Sequence, residues 1–394
     1  MNESDSVPEA PTQVPSIEPT DLRERIDRGE PVAILDVRIH SDYEAWHIEG
    51  ESVQSHNVPY YEFLEREELP TDLPEGDPLV VLCAEGDASE YVAGQLRDAG
   101  QDAVTLDGGM AGWARIYDRN EITGYDGPGS VYQYHRPATG CLGYLVVSDG
   151  EAAVVDPLRA FADRYHEDAQ ALGAELTHAI DTHCHADHVS GLTGLVEDGV
   201  QGVIPAATVS RGMDVDPAIR RVEDGDVIQV GEATIDVLHT PGHTTGMTAY
   251  LVENSVVLTG DSLFVGSVAR PDLEAGDEGA PAAAHQLYES LHETLLALDA
   301  DVIVGGGHAG PGDRPGPEGT LTATLGTLTE QMDVLSLAEE PFVEFVLEDM
   351  PPRPANYERI IDANLGIAAL DDEEAFRMEL GPNNCAASQG VTIG

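Results

Sequence analysis

Seven side chains of metal-ligating type stand at the ends of apolar runs. The segment THCHADH, residues 182–188, supplies His183, His185, Asp187 and His188. Three further segments add His243 in TPGHTTG, Asp261 in TGDSLF and His308 in GGGHAG. Imidazole and carboxylate together suit Zn, Fe or Mn. Histidines at i and i+2 project from an irregular loop rather than from one helix face, which excludes an HExxH-type helical site. Each segment carries Gly or another small residue near the candidate ligand, leaving room for close approach. Cys184 lies between two of the histidines, and alternation turns its side chain away from them into packing.

These loops need rigid elements behind them. From Ile17 the chain alternates between strand and helix patterns. VAILDVR (32–38), PLVVLCA (78–84) and DAVTLDGG (102–109) read as short buried strands. SEYVAGQLRDAG (89–100) between the last two has apolar residues at helical spacing and a closing Gly100, which implies a crossover helix over a parallel sheet. The turn-rich YDGPGS (125–130) reads as the domain boundary. Beyond it, 140–157 predicts two strands around an Asp149-Gly150 turn. A helix is expected near 160–173, and strands over 177–183, 233–244, 247–262 and 301–308. QLYESLHETLLAL (286–298) has amphipathic helical spacing, and PPRPANYERIIDANLG (351–366) reads as a Pro-rich extension followed by a helix. The expected organisation is a disordered tail over 1–16, a parallel α/β domain over 17–125, a second domain over 126–380 and a flexible tail over 381–394.

Composition narrows the function classes. Lys+Arg total 19 against 73 Asp+Glu, for a formal net charge of −54, and every fixed cation is an arginine. Acids spread along the whole chain would repel nucleic acid and anionic membrane surfaces, so neither is an expected partner. The same repulsion would act within the chain in dilute buffer. A lysine-free acidic sequence therefore reads as adaptation to molar salt, where the screening length falls to about 3 Å, as in a halophile. No apolar run is long enough to span a membrane. MNESDSVPEAPTQVP lacks the basic and apolar parts of a secretory signal, so a cytoplasmic location is expected. Cys83, Cys141, Cys184 and Cys385 show no C-x-x-C pairing, which argues against a zinc knuckle or a disulfide framework. A homo-oligomer is left open.

The run H-C-H-A-D-H followed by P-G-H-T, G-D and G-H resembles the metallo-β-lactamase fold superfamily over roughly residues 128–370. That resemblance implies an αββα sandwich with metal at one edge of its two sheets. GDSLFVGSVARPDL (260–273) and the 351–366 segment are similar to the persulfide dioxygenase (sulfur dioxygenase) branch. By that resemblance His183, His243 and Asp261 would hold one Fe(II) per chain. His185, Asp187, His188 and His308 would orient those ligands or hold a second metal. Arg270 and Asp272 would line the substrate pocket, where Arg270 would either bind the carboxylate of a thiol substrate or pair internally with Asp272.

LDVR (35–38), HIEG (47–50), the strand-end Cys83 and LDGGMAGW (106–113) together resemble a rhodanese domain. The resemblance implies that Cys83 carries a persulfide in the loop CAEGDAS (83–89). Two departures bear on this. Ala88 stands where the family often has Arg, and Glu85 and Asp87 make the loop acidic, which disfavours an anionic donor such as thiosulfate. A purely structural Cys83 is the other reading.

Three functions follow. The first is iron-dependent oxidation of a low-molecular-weight thiol persulfide by O2, giving sulfite and thiol, with a fused sulfur-carrier domain. The second is a zinc thioester hydrolase like glyoxalase II, which would use all seven ligands for two metals. The third is a non-catalytic sulfur carrier.

Overall fold

Runs of four to eight β-branched and aliphatic residues closed by glycine or polar turns favour strands, because branched side chains pack well on a pleated surface. A computed structural model shows where those runs lie. It describes residues 14–387, apart from 66–68, 71, 72, 75, 214–216, 311, 312, 349 and 382. Expectations for residues 1–13 and 388–394 lie outside the described residues.

The chain divides between Ile116 and Tyr117. The first unit holds a parallel sheet of β1 (Ser16–Ile17), β2 (Val32–Asp36), β3 (Val53–Asn57), β4 (Leu79–Leu82) and β5 (Ala103–Leu106), in the order β1-β5-β4-β2-β3. The helix Asp87–Asp98 crosses from β4 to β5 and buries Val92, Ala93 and Leu96 against the sheet. Burying each such aliphatic side chain contributes about 1.5–3 kcal/mol. Ser16 and Ile17 pair in parallel with Thr105 and Leu106, so the end of the expected 1–16 tail is a strand edge.

The second unit begins earlier than the sequence implied. β6 (Asp118–Glu121) pairs antiparallel with β7 (Ser130–Arg136), which makes YDGPGS a connection within one sheet rather than a boundary. That sheet continues through β8 (Cys141–Ser148), β9 (Glu151–Val155), β10 (Glu175–Ile180), β11 (Gln201–Pro205) and β12 (Arg220–Val222). Asp149 and Gly150 both have positive φ, as a two-residue hairpin between β8 and β9 requires. A second mixed sheet runs in sequence order from β13 (Val227–Val230) through β14 (Ala233–His239), β15 (Thr248–Val252), β16 (Val256–Gly260) and β17 (Ile303–Gly306) to β18 (Ala323–Thr324).

Side-chain alternation builds the layers. Tyr144, Val146 and Val155 of one sheet meet Ile235, Val237, Tyr250 and Leu258 of the other in a shared core. Their neighbours Leu145 and Val154 face outward onto the helices Ala162–Ala171 and Leu192–Glu197. Leu251 and Val257 face outward onto the helices Asp272–Glu289 and Glu339–Glu348. The result is an αββα sandwich following a parallel α/β sheet, as expected. The helix expected over 286–298 starts earlier, after a break at Gly276 (φ +64°) that separates it from a short turn opening at Asp272, and Ser290–Leu295 is wound as a π-helix. Among the described residues no helix is long and apolar enough to cross a membrane.

Candidate metal centre

Each strand of the second unit that precedes a candidate ligand ends before it, leaving the ligand on a loop. His183 follows β10, His243 lies between β14 and β15, Asp261 follows β16 and His308 follows β17. Glycine makes the approach feasible. A Cβ on Gly307 would collide with Asp261 Oδ1, and one on Gly260 (φ +48°) would come within 2.6 Å of Thr182 Oγ1.

The loops bring His183, His243 and Asp261 into one buried group whose ligand atoms all lie within 4.8 Å of one another. Asp261 Oδ2 is 3.4 Å from His243 Nε2 and 3.8 Å from His183 Nε2. Both Asp261 oxygens and both Nε2 atoms are buried without a hydrogen-bond partner. Leaving such atoms unsatisfied costs about 1–3 kcal/mol each. A lone pair on each imidazole and a carboxylate, converging and otherwise unsatisfied, fit a divalent cation. The far nitrogen of His243 donates to the Arg270 carbonyl at 2.9 Å, which leaves Nε2 bare. Burial, reinforced by neighbouring His185, holds the His183 pKa well below the usual imidazole range. Burial works against the Asp261 carboxylate, but His308, His183 and His243 outweigh it and hold its pKa far below the usual range.

Asp187, His188 and His308 form a neighbouring group. Asp187 Oδ2 lies 3.1 Å from His188 Nδ1 and 3.5 Å from His308 Nε2. His308 Nε2 is also 3.2 Å from Asp261 Oδ1, so the Asp261 carboxylate reaches both groups. Two thiols join here. Cys141 Sγ is 3.3 Å from Asp187 Oδ2, and Cys385 groups with Asp187 and His308. His185 is drawn elsewhere, with Nε2 3.2 Å from Asp156 Oδ1 and 3.9 Å from Asp181 Oδ1. Cys184 belongs to none of these groups, and burial pushes its thiol up to about 12.

Arg270 does not reach for a ligand. It is 2 % exposed. Its Nε and Nη2 hold Asp272 at 2.7 and 3.1 Å, and Nη1 donates to the carbonyls of Pro352 and Asn384. The internal pair, not substrate binding, is what the packing produces, and Arg353 adds a second cation to Asp272. Within the expected flexible tail over 381–394, the described residues 383–387 are packed in the same place. Cys385 is fully buried, its carbonyl accepts from Arg270 N–H, and Ala387 N–H donates to the Val268 carbonyl.

In the first unit, Cys83 follows β4 and is 7 % exposed. Gly86 N–H donates to its Sγ at 3.0 Å, just before the helix Asp87–Asp98. Met110 and Ala111 N–H groups hold the carbonyls of Cys83 and Ala84. A Cβ on Gly109 would collide with the Cys83 carbonyl, so LDGGMAGW serves to clamp the cysteine loop.

Comparison with known proteins bears on both units. Residues 136–308 match the metallo-beta-lactamase superfamily and residues 18–116 the rhodanese-like domain. The mitochondrial persulfide dioxygenase ETHE1 of Homo sapiens is 30% identical over 219 residues, covering 55% of this chain and 78% of that protein. The chain belongs to the metallo-beta-lactamase superfamily. Within the superfamily, a hydroxyacylglutathione hydrolase of Rhodospirillum rubrum is 32% identical, covering 51% of this chain and 75% of its own. The crystal structure of ETHE1 from Myxococcus xanthus matches with a TM-score of 0.51 and 28% identity, over 59% of this chain and 96% of that one. Together with the ligand groups, these likenesses mark a metal-dependent superfamily enzyme carrying a rhodanese-like domain.

Asp156, Cys141 and Cys385 escaped the sequence reading. Asp156 directly follows the apolar strand β9 in VVDP, the same signal that exposed Asp261. Cys141 opens β8, and Cys385 sits in a Gly/Asn-rich stretch that carries no packing signal.

Proposed function

We propose that this chain oxidises a low-molecular-weight thiol persulfide with O2, using one iron held by His183, His243 and Asp261. The observation that carries the reading is that three-residue group, with its unsatisfied buried ligand atoms, in a superfamily member similar to persulfide dioxygenases. Two imidazoles and a carboxylate are the ligand set of non-haem Fe(II) oxygenases. Iron(II), when bound, supplies open coordination positions for a persulfide sulfur and O2 together. One persulfide, one O2 and one water give one thiol, one sulfite and two protons.

The chain's own residues prepare the place. Asp261 supplies negative charge beside the His183 and His243 imidazoles. Phe264, Ala186 and Leu273 pack with Cys385 into an apolar wall, and the Phe264 ring centroid is 6.0 Å from that of His308. Such a wall excludes bulk water from a reactive site. Arg270 and Asp272 act by bracing it, because Arg270 ties the Cys385 segment to the carbonyl that orients His243. His308, which also contacts Asp187, stands behind Asp261 and stabilises its ionised form. In the first unit Cys83 would carry sulfane sulfur, with the Gly86 N–H donating to Sγ.

The test is O2 uptake and sulfite release on glutathione persulfide, with metal analysis of anaerobically prepared protein. One iron per chain with sulfite matching O2 is expected. A second reading, a zinc thioester hydrolase, draws on the Asp187–His188–His308 group beside Asp261 and on the hydrolase relative. Thioester hydrolysis without O2 uptake would establish it instead.

A further inference from the structure

Asp156 directly follows β9 with φ +52°, the left-handed region, where a non-glycine residue persists only if its surroundings hold it. Its side chain is buried, and three groups of the next loop converge on its carboxylate. Thr182 N–H donates to Oδ1 at 2.7 Å, and the Thr182 hydroxyl donates to Oδ2 at 2.9 Å. His185 Nε2 lies 3.2 Å from Oδ1.

Proton counting then fixes the imidazoles. A carboxylate only accepts, so His185 carries its hydrogen on Nε2 and leaves Nδ1 bare. Thr182 has one hydroxyl hydrogen, and it is committed to Asp156. At its other contact, 2.9 Å from His183 Nδ1, Oγ1 must therefore accept. His183 thus carries its hydrogen on Nδ1 and leaves Nε2 bare. Both bare nitrogens, His183 Nε2 and His185 Nδ1, are buried without a hydrogen-bond partner. The two rings lie side by side, with centroids 4.2 Å apart.

We propose that Asp156 is a positioning residue that sets the tautomers of both His183 and His185, directly for one and through Thr182 for the other. One carboxylate then decides that the two imidazoles keep buried lone pairs, rather than N–H groups, at Nε2 of His183 and Nδ1 of His185. The inference rests on the metal-site reading above and is independent of which metal binds and which reaction follows.

The test uses the full chain, metal-free and labelled with 15N-histidine, with His183→Gln and His185→Gln for assignment. In the unmodified chain, imidazole 15N shifts should show the hydrogen of His183 on Nδ1 and that of His185 on Nε2. Asp156→Asn keeps the shape but turns an NH2 group toward at least one of the three donors. It should reverse at least one tautomer and weaken Zn2+ binding, measured by chelator competition, about 10–100-fold. Thr182→Val should weaken Zn2+ binding and release only His183, while Thr182→Ser should behave as the unmodified chain. The opposite tautomers in the unmodified chain would overturn the proposal, as would an Asp156→Asn chain with unchanged tautomers and Zn2+ affinity within twofold. If Asp156→Asn does not fold, equal Zn2+ affinity in the Thr182→Val and Thr182→Ser chains overturns it. Because no turnover is measured, absence of persulfide oxidation leaves this result standing on its own.

Discussion

His243 Nε2 and Asp261 Oδ2 lie 3.4 Å apart, both buried and neither hydrogen-bonded. Two converging acceptors in that state call for a cation between them and His183. We expect about one iron per chain, and its loss on His243→Ala or Asp261→Ala with the fold retained. Metal analysis by plasma mass spectrometry with circular dichroism checks this. Two tightly held zinc ions in the active protein would contradict it.

Arg270 predicts a stability effect rather than an affinity effect. Replacing it with Met removes a fully enclosed guanidinium from Asp272. Breaking a buried pair costs about 3–5 kcal/mol, and the low end applies because Arg353 still holds Asp272 Oδ2 at 2.8 Å. Arg270→Lys should rescue little, since one ammonium cannot span both carboxylate oxygens and two carbonyls. Urea unfolding of the variants measures this. A variant that keeps its stability but raises KM for persulfide would return Arg270 to substrate binding.

The contrast between Asp261 and Arg270 shows what the sequence could disclose. Asp261, His183, His243 and His308 were legible because each polar residue follows an apolar run, and strand ends position loops. Arg270 could be narrowed only to two roles, because its partner Asn384 is 114 residues away and lies in a stretch without a packing pattern. Asp156 carried the right local signal, but its meaning depends on Thr182 across 26 residues. The domain boundary is hidden for a related reason. YDGPGS has turn chemistry, yet only the pairing of β6 with β7 tells a hairpin from a linker.

Cys184 tests the ligand assignment from the other side. Burial pushes its thiol up to about 12, so the reactive thiolate is scarce at pH 8. Iodoacetamide should leave Cys184 unmodified in the folded chain and modify it in denaturant, as peptide mass spectrometry reads. Cys184→Ala should keep its metal. Metal loss in that variant would make the thiol a ligand.

Net charge predicts salt dependence. With a formal charge of −54, self-repulsion is strong wherever screening is weak. The screening length grows from about 3 Å at 1 M to about 10 Å at 0.1 M. The melting temperature should therefore fall steadily as KCl is lowered from molar concentration. An unchanged melting temperature at about 0.1 M KCl would remove the halophile interpretation.

Cys83→Ser separates the two units chemically. The ligand atoms of His183, His243 and Asp261 belong to the second unit, whose two sheets form their own core. A diffusible persulfide needs only those ligands and the apolar wall around Phe264. Cys83 lies in the other unit, held by Gly86 N–H and clamped through Met110 and Ala111. O2 uptake on glutathione persulfide should therefore stay within about twofold of the unmodified enzyme, a change of under about 0.5 kcal/mol. Any difference should appear instead in turnover of a protein-bound persulfide or in thiosulfate formation, where a carrier sulfur is consumed. The acidic Glu85 and Asp87 beside the thiol further predict weak use of thiosulfate as donor, because an anion meets like charge there. Oxygen-electrode rates with iron content measured in parallel decide the matter. Abolished O2 uptake with normal iron would make Cys83 an obligatory relay and join the two sites into one.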